Sequence, residues 1–196
     1  NGVLKTVATD AEFNLDMAAI EAALTDKTKI VLLNSPNNPT GQIYSAETLK
    51  QLGELLAKAG KKFGHTIYMV SDEPYRNIVF DGHVVAPLLA ASTNTIVASS
   101  YSKELSLPGE RIGYIAVNPD MDDKEAMLGA LTLANRILGF VNAPALMQRV
   151  VAQLQDVGVD SSVYARRLEA FCPILDDAGI SYVRPKGAFY LFPKAP

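Results

Sequence analysis

Apolar runs alternate with amphipathic stretches along the first 117 residues of the chain. The strand-like runs, rich in β-branched and aliphatic residues, cover 3–9, 29–34, 67–71, 95–98 and 112–117. Between the first three runs, apolar residues recur at helical spacing over 17–24 and 46–60, directly after Asp16 and Ser45. This spacing predicts two helices, with those two side chains as N-caps. The nearly continuous apolar character of 29–34 predicts a parallel strand that is buried on both faces.

The pattern after residue 117 is mainly helical. Apolar spacing predicts helices over 123–138, 143–157 and 161–178. Gly179 follows the last of these segments and is suited to end a helix. Two short apolar runs, 180–183 and 188–192, then flank a Pro-Lys-Gly turn and predict a β-hairpin.

The alternation of strands and helices predicts an α/β fold, with a mostly parallel central sheet flanked by helices. The helices and the hairpin that follow predict the beginning of a smaller α+β domain. We therefore expect residues 1–142 to form the large domain and residues 143–196 to form connecting helices and the start of the small one.

Composition indicates a folded protein and argues against some classes of partner. Hydrophobic residues make up 48% of the chain and charged residues 20%, which is ordinary for a globular protein. A net charge of −3 gives no electrostatic reason to expect nucleic acid or an anionic membrane as partner, and no apolar run approaches the roughly 20 residues that cross a bilayer. One cysteine and two histidines argue against a disulfide framework and a Cys/His metal site. We expect Cys172 to pack in the core of a cytoplasmic protein that holds no metal.

Three polar loops follow predicted strands, at 34–41, 71–76 and 99–111. Because the carboxyl ends of parallel strands share one edge of a sheet, these loops are expected to converge there. The third loop contains Lys103. Most loop lysines are solvated cations, whereas a lysine with a lowered pKa can act as a nucleophile that forms a Schiff base. The loop alone leaves both interpretations open.

The first two loops carry groups that suit a ring-shaped ligand. Asp72 can stay ionised beside a cation such as a protonated ring nitrogen, or it can cap a turn. Tyr75 can direct a phenol to the same ligand, or it can be an amphipathic core residue. Asn38 offers an amide donor, although an asparagine in a turn often has a purely local role.

The third loop also carries groups that suit an anion. Arg111 can clamp a phosphate or carboxylate, with Ser100 and Ser102 as hydroxyl donors. The alternative for Arg111 is an ordinary salt bridge to Glu110 or to another acidic residue. Each of these signals is weak when it is considered by itself.

Together these motifs resemble those of the class I/II aminotransferases, which are fold-type-I enzymes dependent on pyridoxal phosphate and include aspartate aminotransferase. The matching residues are SPNNPTG at 35–41, DEPY at 72–75, and SYSK at 100–103 with Arg111 eight positions after Lys103. Their order, spacing and strand context carry the resemblance, which spans essentially the whole chain.

The resemblance implies a role for each candidate residue at the cofactor ring. Lys103 would form a Schiff base with the cofactor aldehyde and then carry a proton between the substrate and the cofactor. Asp72 would keep the pyridine nitrogen protonated. Tyr75 and Asn38 would hydrogen-bond to the phenolate oxygen of the ring.

The resemblance also implies where the phosphate binds. Ser100 and Arg111 would bind it, with Ser102 as a further hydroxyl donor. The family often has a cis peptide bond before the second proline of this turn, so Asn38–Pro39 is expected to be cis.

Some family features are missing from the chain. A glycine-containing phosphate loop and a ring-stacking aromatic would precede Asn1, and an arginine that binds the substrate carboxylate would follow Pro196. We therefore expect this chain to be an inactive fragment with weak cofactor binding. The parent protein is expected to be a homodimer, and Asn142 is a candidate to reach the partner subunit's site.

The resemblance implies a transaminase that acts on an L-amino acid of the aspartate or aromatic type and a 2-oxo acid. A pyridoxal-phosphate-dependent C–S β-lyase remains an alternative, since the cofactor residues do not separate the two reactions. A second alternative is the cofactor-sensing domain of a DNA-binding transcriptional regulator.

Overall fold

The computed structural model describes residues 2–195, so Asn1 and Pro196, the outer bounds of the two predicted domains, lie outside the described residues. Its sheet has four strands: β1 Ile30–Asn34, β2 Tyr68–Asp72, β3 Thr95–Ser100 and β4 Gly113–Val117. The strands lie side by side in chain order. The first three are parallel and the fourth is antiparallel to the third. The predicted α/β class with a mostly parallel sheet is confirmed.

Five of the six α-helices in the described residues overlap predicted helical segments, whereas Tyr101–Glu104 lies in the predicted polar loop at 99–111. The helices are α1 Met17–Ala23, α2 Ala46–Phe63, α3 Tyr101–Glu104, α4 Lys124–Ile137, α5 Ala145–Ala152 and α6 Ser161–Asp177. Both predicted N-caps are confirmed, because Asp16 accepts a hydrogen bond from Ala19 N at 2.9 Å and Ser45 accepts one from Thr48 N at 3.0 Å. None of the helices in the described part of the chain is long and apolar enough to cross a membrane.

The main core lies between one face of the sheet and α2. Leu52 of α2 and Met69 of β2 are almost completely buried in it. The other side of β1 is open: the side chains of Ile30 and Leu32 are 57% and 63% exposed. The prediction that this strand is buried on both faces is therefore wrong, because among the described residues the core covers only its Leu33 side.

A second core joins residues from distant parts of the sequence. Tyr75, Ile78 and Phe80 pack there against Leu168 and Cys172 of α6. The predicted burial of Cys172 is confirmed, with 4% of the residue exposed. This core attaches α6 to the loop that follows β2.

Three predictions about local structure are wrong. Residues 3–9 form no strand, and Val3 and Leu4 are 98% and 84% exposed. Helix α5 ends at Ala152, well before residue 157, and the chain after it instead turns so that Val159 N donates to Glu104 O at 2.8 Å.

The third error is the C-terminal hairpin. Residues 180–192 contain only isolated bridges in place of two paired strands. The reason is that their backbone groups bond to earlier loops: Lys186 N and Gly187 N both donate to Gly41 O, and Ala188 N donates to Ile78 O. Residues 180–195 therefore form an irregular C-terminal segment that is attached to the rest of the molecule through these loops.

Candidate active site

The carboxyl ends of the parallel strands bring the first two polar loops together. Asn34 and Asp72 are register partners at the ends of β1 and β2. The side-chain amide of Asn34 donates to Asp72 O at 2.8 Å and to its carboxylate at 3.4 Å, while its own oxygen accepts from Asn38 N at 2.6 Å. Asn34 therefore connects two predicted site residues. Sequence reasoning missed it, although a polar residue at the end of an apolar strand was the available signal.

The turn at 35–41 has a fixed backbone. Its Asn38–Pro39 peptide bond is cis, as predicted, and so is Ser35–Pro36. The Asn37 side chain accepts hydrogen bonds from the Thr40 backbone and hydroxyl, at 3.2 and 2.9 Å. These contacts hold Asn38 at the exposed rim of the sheet edge.

Asp72 has no cation beside it in the described residues, where it takes part in no ion pair. Partial desolvation, reinforced by the neighbouring Glu73 carboxylate, raises the pKa of Asp72. A cationic ligand stabilises the ionised form of such a carboxylate, because it places a positive charge beside it.

Tyr75 lies where three segments meet. Only 4% of the surface of Tyr75 is exposed, and its hydroxyl lies 2.7 Å from the hydroxyl of Tyr190 in the C-terminal segment. Burial is the main cause that raises the pKa of Tyr75, and the neighbouring Asn38 side chain opposes that rise. Tyr75 and Asn38 therefore lie close to each other, and their shared role at a cofactor oxygen stays a prediction.

Lys103 lies in α3, the single helical turn that begins directly after β3. Its Nζ atom is 5.4 Å from the centre of the Phe189 ring, within the range of a cation–π contact. The same ring packs edge-on against Tyr75, with centroids 5.2 Å apart. Among residues 2–195, the lysine amine has no ion pair. Phe189 therefore connects the amine to the Tyr75 side of the site, and sequence reasoning placed Phe189 in a strand instead.

The third loop connects β3 to β4, which pair in antiparallel orientation. Ser100 is the register partner of Gly113, and Tyr101 N donates to Ile112 O at 3.2 Å. The two ends of the loop, at Ser100 and Gly113, thereby lie side by side. Gly113 is needed for this approach, because a Cβ atom there would lie 2.5 Å from a β3 carbonyl oxygen.

The guanidinium of Arg111 is exposed and donates to Pro108 O at 2.7 Å. It forms no ion pair with Glu110 or any other acidic residue that the structure describes. The structure gives no hydrogen bond between it and the hydroxyls of Ser100 or Ser102, so the three groups share one loop without direct contact.

Sequence reasoning also missed a group of charged residues beneath the site. Glu73 is 2% exposed, and its carboxylate lies 2.6 Å from Arg76 Nη1. Glu104, next to the candidate lysine, is 9% exposed, and burial raises its pKa although the positive charge of Arg76 opposes that rise. Arg76 therefore stabilises charges in both the second and the third loop. The spacing of Glu73 and Arg76 was visible in the sequence, but their burial was not.

Comparison with known proteins gives a consistent result. The model of the family described as aminotransferase class I and II matches residues 1–196. The asparagine–oxo-acid transaminase of Streptococcus mutans is 32% identical over 98% of this chain and 49% of its own length. The crystal structure of an aminotransferase from Eubacterium rectale superimposes with a TM-score of 0.93 at 43% identity, over 96% of this chain and 48% of that one.

A second solved structure, the aspartate aminotransferase of Thermotoga maritima, has a TM-score of 0.80 and 29% identity over 99% of this chain and 50% of its own. The chain thus spans about half the length of the relatives it matches, and it shares with them the fold-type-I architecture. By both sequence and structure, the chain belongs to the class I and II aminotransferase family.

Proposed function

We propose that the protein containing this chain is a pyridoxal-phosphate-dependent aminotransferase. It transfers an amino group between an L-amino acid of the aspartate or aromatic type and a 2-oxo acid. The observation that carries the proposal is that a lysine, a carboxylate without an ion pair among residues 2–195 and a buried phenol follow neighbouring strands at one edge of a parallel sheet. Family membership supports the same conclusion.

The residues present suit pyridoxal phosphate. The cofactor supplies an aldehyde that bonds to amines and a ring that accepts electron density from the substrate. Arg111, Ser100 and Ser102 provide a cation and two hydroxyls for its phosphate. Asp72 takes part in no ion pair within residues 2–195 and would be suited to hold a proton on the ring nitrogen.

Lys103 carries the covalent and acid–base work in this proposal. Its amine would hold the cofactor covalently and, once freed by the amino group of the substrate, would serve as the base and acid that moves the proton of the substrate α-carbon. The Phe189 ring beside Nζ holds the amine on the Tyr75 side of the site.

Tyr75 and Asn38 act on the ring oxygen of the cofactor. Both carry hydrogen-bond donors, and the two side chains are close enough for Asn38 to lower the pKa of Tyr75. Their donation to this oxygen would stabilise its negative charge.

The relatives from Streptococcus, Eubacterium and Thermotoga are aminotransferases, which favours transfer over the alternatives of a C–S β-lyase and a cofactor-sensing regulator domain. The aspartate part of the proposed substrate class rests on the Thermotoga relative. A panel of amino donors tested on the whole protein separates the reactions, because a lyase would release ammonia and a thiol in place of a new amino acid.

We propose that residues 1–196 alone bind the cofactor weakly and turn over little, because the relatives are about twice as long. The test mixes this chain with pyridoxal phosphate and follows the visible absorbance of the lysine–cofactor linkage, with Lys103→Ala as control. Tight binding that depends on Lys103, together with turnover, would contradict this part of the proposal.

We propose that the whole protein is a homodimer that uses α4. None of the residues of α4 is buried, and Leu133 and Ile137 are 58% and 73% exposed. Ile137→Lys is expected to weaken the dimer in light scattering, whereas Val84→Lys, at an 80% exposed apolar position elsewhere, should not. If the two variants dimerise equally well, α4 is not part of the dimer interface.

We also propose the domain boundary between residues 142 and 143, in the connection from α4 to α5. Limited proteolysis of the whole protein should then cut first between residues 138 and 145, which connect these two helices. First cuts within α5 or α6 would place the boundary elsewhere.

A further inference from the structure

The hydroxyl pair formed by Tyr75 and Tyr190 joins a candidate cofactor ligand to a residue that has no role in the proposed function. The two oxygen atoms lie 2.7 Å apart, although the residues are 115 positions apart in the chain. The rings meet edge to face, with centroids 5.6 Å apart and an angle of 84° between the planes. The distance between the oxygens is typical of a hydroxyl–hydroxyl hydrogen bond.

We propose that Tyr190 is a positioning residue that acts through Tyr75: its hydroxyl donates to the Tyr75 oxygen and so directs the Tyr75 proton towards the ring oxygen of the cofactor. The inference rests on the proposed function, because it requires a ligand oxygen that accepts this proton.

The direction of donation follows from counting protons. A phenol has one proton and can accept further hydrogen bonds on its oxygen. Either hydroxyl of the pair can be the donor when no ligand is bound. Once Tyr75 donates its only proton to a ligand, the bond between the two tyrosines persists only if Tyr190 is the donor.

Donation from Tyr190 also changes the strength of Tyr75 as a donor. Hydrogen bonds in a chain polarise one another, so a phenol that accepts one bond donates the next more strongly. The Asn38 side chain acts in the same direction, because it lowers the pKa of Tyr75. The pair therefore stabilises negative charge on the ring oxygen more than Tyr75 could alone.

The position of Tyr190 is fixed by the backbone around it. Lys186 N and Gly187 N donate to Gly41 O at 2.9 and 3.0 Å, and Ala188 N donates to Ile78 O at 2.9 Å. These bonds anchor the residues directly before Phe189 and Tyr190 to the first loop and to the chain after Tyr75. A hydroxyl held in this way can impose an orientation on Tyr75.

The test uses the whole protein with cofactor bound and four forms of it: unsubstituted, Tyr190→Phe, Tyr75→Phe and the double variant. The absorbance of the Lys103–cofactor linkage is titrated against pH. Tyr190→Phe should move the titration midpoint upward by about half a pH unit, because the ring oxygen loses part of its stabilisation. In the Tyr75→Phe background, the same substitution should have no further effect.

Tyr164→Phe is the matched control. Tyr164 stacks on Phe189, with centroids 5.3 Å apart, but its hydroxyl has no hydrogen bond among the described residues. Its removal should leave the midpoint unchanged. Because Phe preserves each ring, near-ultraviolet circular dichroism of the cofactor-free variants reports whether the packing is intact.

Two results overturn the inference separately from the proposed function. An unchanged midpoint in Tyr190→Phe, or a shift that persists in the Tyr75→Phe background, shows that Tyr190 does not act through Tyr75 while cofactor binding at Lys103 stands. Absence of a Lys103-dependent absorbance in the unsubstituted protein contradicts the proposed function, and this inference is overturned with it.

Discussion

The three strand-end loops and the C-terminal segment both contribute to the site, but different interactions hold them in place. The loops at 34–41, 71–76 and 99–111 continue directly from paired strands, so the register of the sheet sets their positions. The C-terminal segment continues from α6 and forms no ladder of its own. Backbone bonds to Gly41 and Ile78, more than 100 positions earlier, determine where it lies.

The two regions accordingly have different proposed roles. The groups proposed to contact the cofactor, such as Lys103 and Asp72, lie in the strand-end loops. The C-terminal segment contributes Phe189 and Tyr190, which contact Lys103 and Tyr75 from outside. Substitutions in the loops should therefore change the reaction or the fold outright, whereas substitutions in the C-terminal segment should act through neighbours.

The largest stability effect is expected from the buried charges beneath the loops. Arg76→Gln leaves the Glu73 carboxylate buried without its partner and should lower the free energy of unfolding by about 3 kcal/mol. This value is at the lower end of the range for buried pairs, because the Arg76 side chain is 32% exposed. Lys50→Gln breaks the exposed pair with Glu54 and should cost about 0–1 kcal/mol. Urea unfolding of both variants measures the difference, and equal losses would contradict the role of Arg76 in holding the loops.

Asp72→Asn tests the chemistry of the loops. An amide cannot hold a proton on the cofactor ring, so transaminase turnover of the whole protein should fall by about 10²–10³-fold, comparable to the loss of one preorganised electrostatic group. Since the pKa of Asp72 is raised, its ionised form is disfavoured in the cofactor-free fold, and the variant should be no less stable at neutral pH. A large loss of stability without a loss of turnover would show that Asp72 supports the fold and does not act on the cofactor.

Gly187→Ala tests the attachment of the C-terminal segment. A Cβ atom at this position would lie 2.8 Å from Ile78 O, so the segment must shift, and the expected cost is about 1–3 kcal/mol. Gly129 in α4 has open space around it, and Gly129→Ala should stabilise the chain by up to about 1 kcal/mol. If thermal unfolding ranks the two variants the other way, the bonds to Gly41 and Ile78 do not hold the segment.

The smallest effect is expected from Glu104, whose pKa is raised by burial above its ordinary value of 4.5. A raised carboxyl pKa means that the ionised form is disfavoured in the fold. The resulting penalty is absent below the unfolded pKa and is present in full above the folded pKa. Glu104→Gln should therefore gain stability relative to the unsubstituted chain as the pH rises from about 4 to 7. A stability difference that stays constant across this pH range would show that burial does not disfavour the Glu104 carboxylate.

The same contrast explains which features the sequence could predict. The caps at Asp16 and Ser45 and the strand before Lys103 depend on neighbouring residues, so spacing and residue type were sufficient. The hairpin at 180–192 was predicted from local apolar alternation, but bonds to Gly41 and Ile78 override that alternation. Similarly, 3–9 has the composition of a strand but lacks a partner strand in the structure.

For the site, the sequence indicated the groups proposed to contact the cofactor but not those that hold them. Lys103, Asp72 and Tyr75 follow strands in motifs that resemble a known family. Asn34 and Tyr190 act through tertiary contacts, which are invisible without the strand register and the path of the C-terminal segment.

The most direct test of the central claim is to locate the covalent link between protein and cofactor. The whole protein is mixed with pyridoxal phosphate, reduced with borohydride, digested and analysed by mass spectrometry. We predict that the reduced cofactor is found on the peptide containing Lys103, and that Lys103→Arg abolishes it. Labelling spread over exposed lysines such as Lys61 and Lys62, with no preference for Lys103, would contradict the proposed Schiff base.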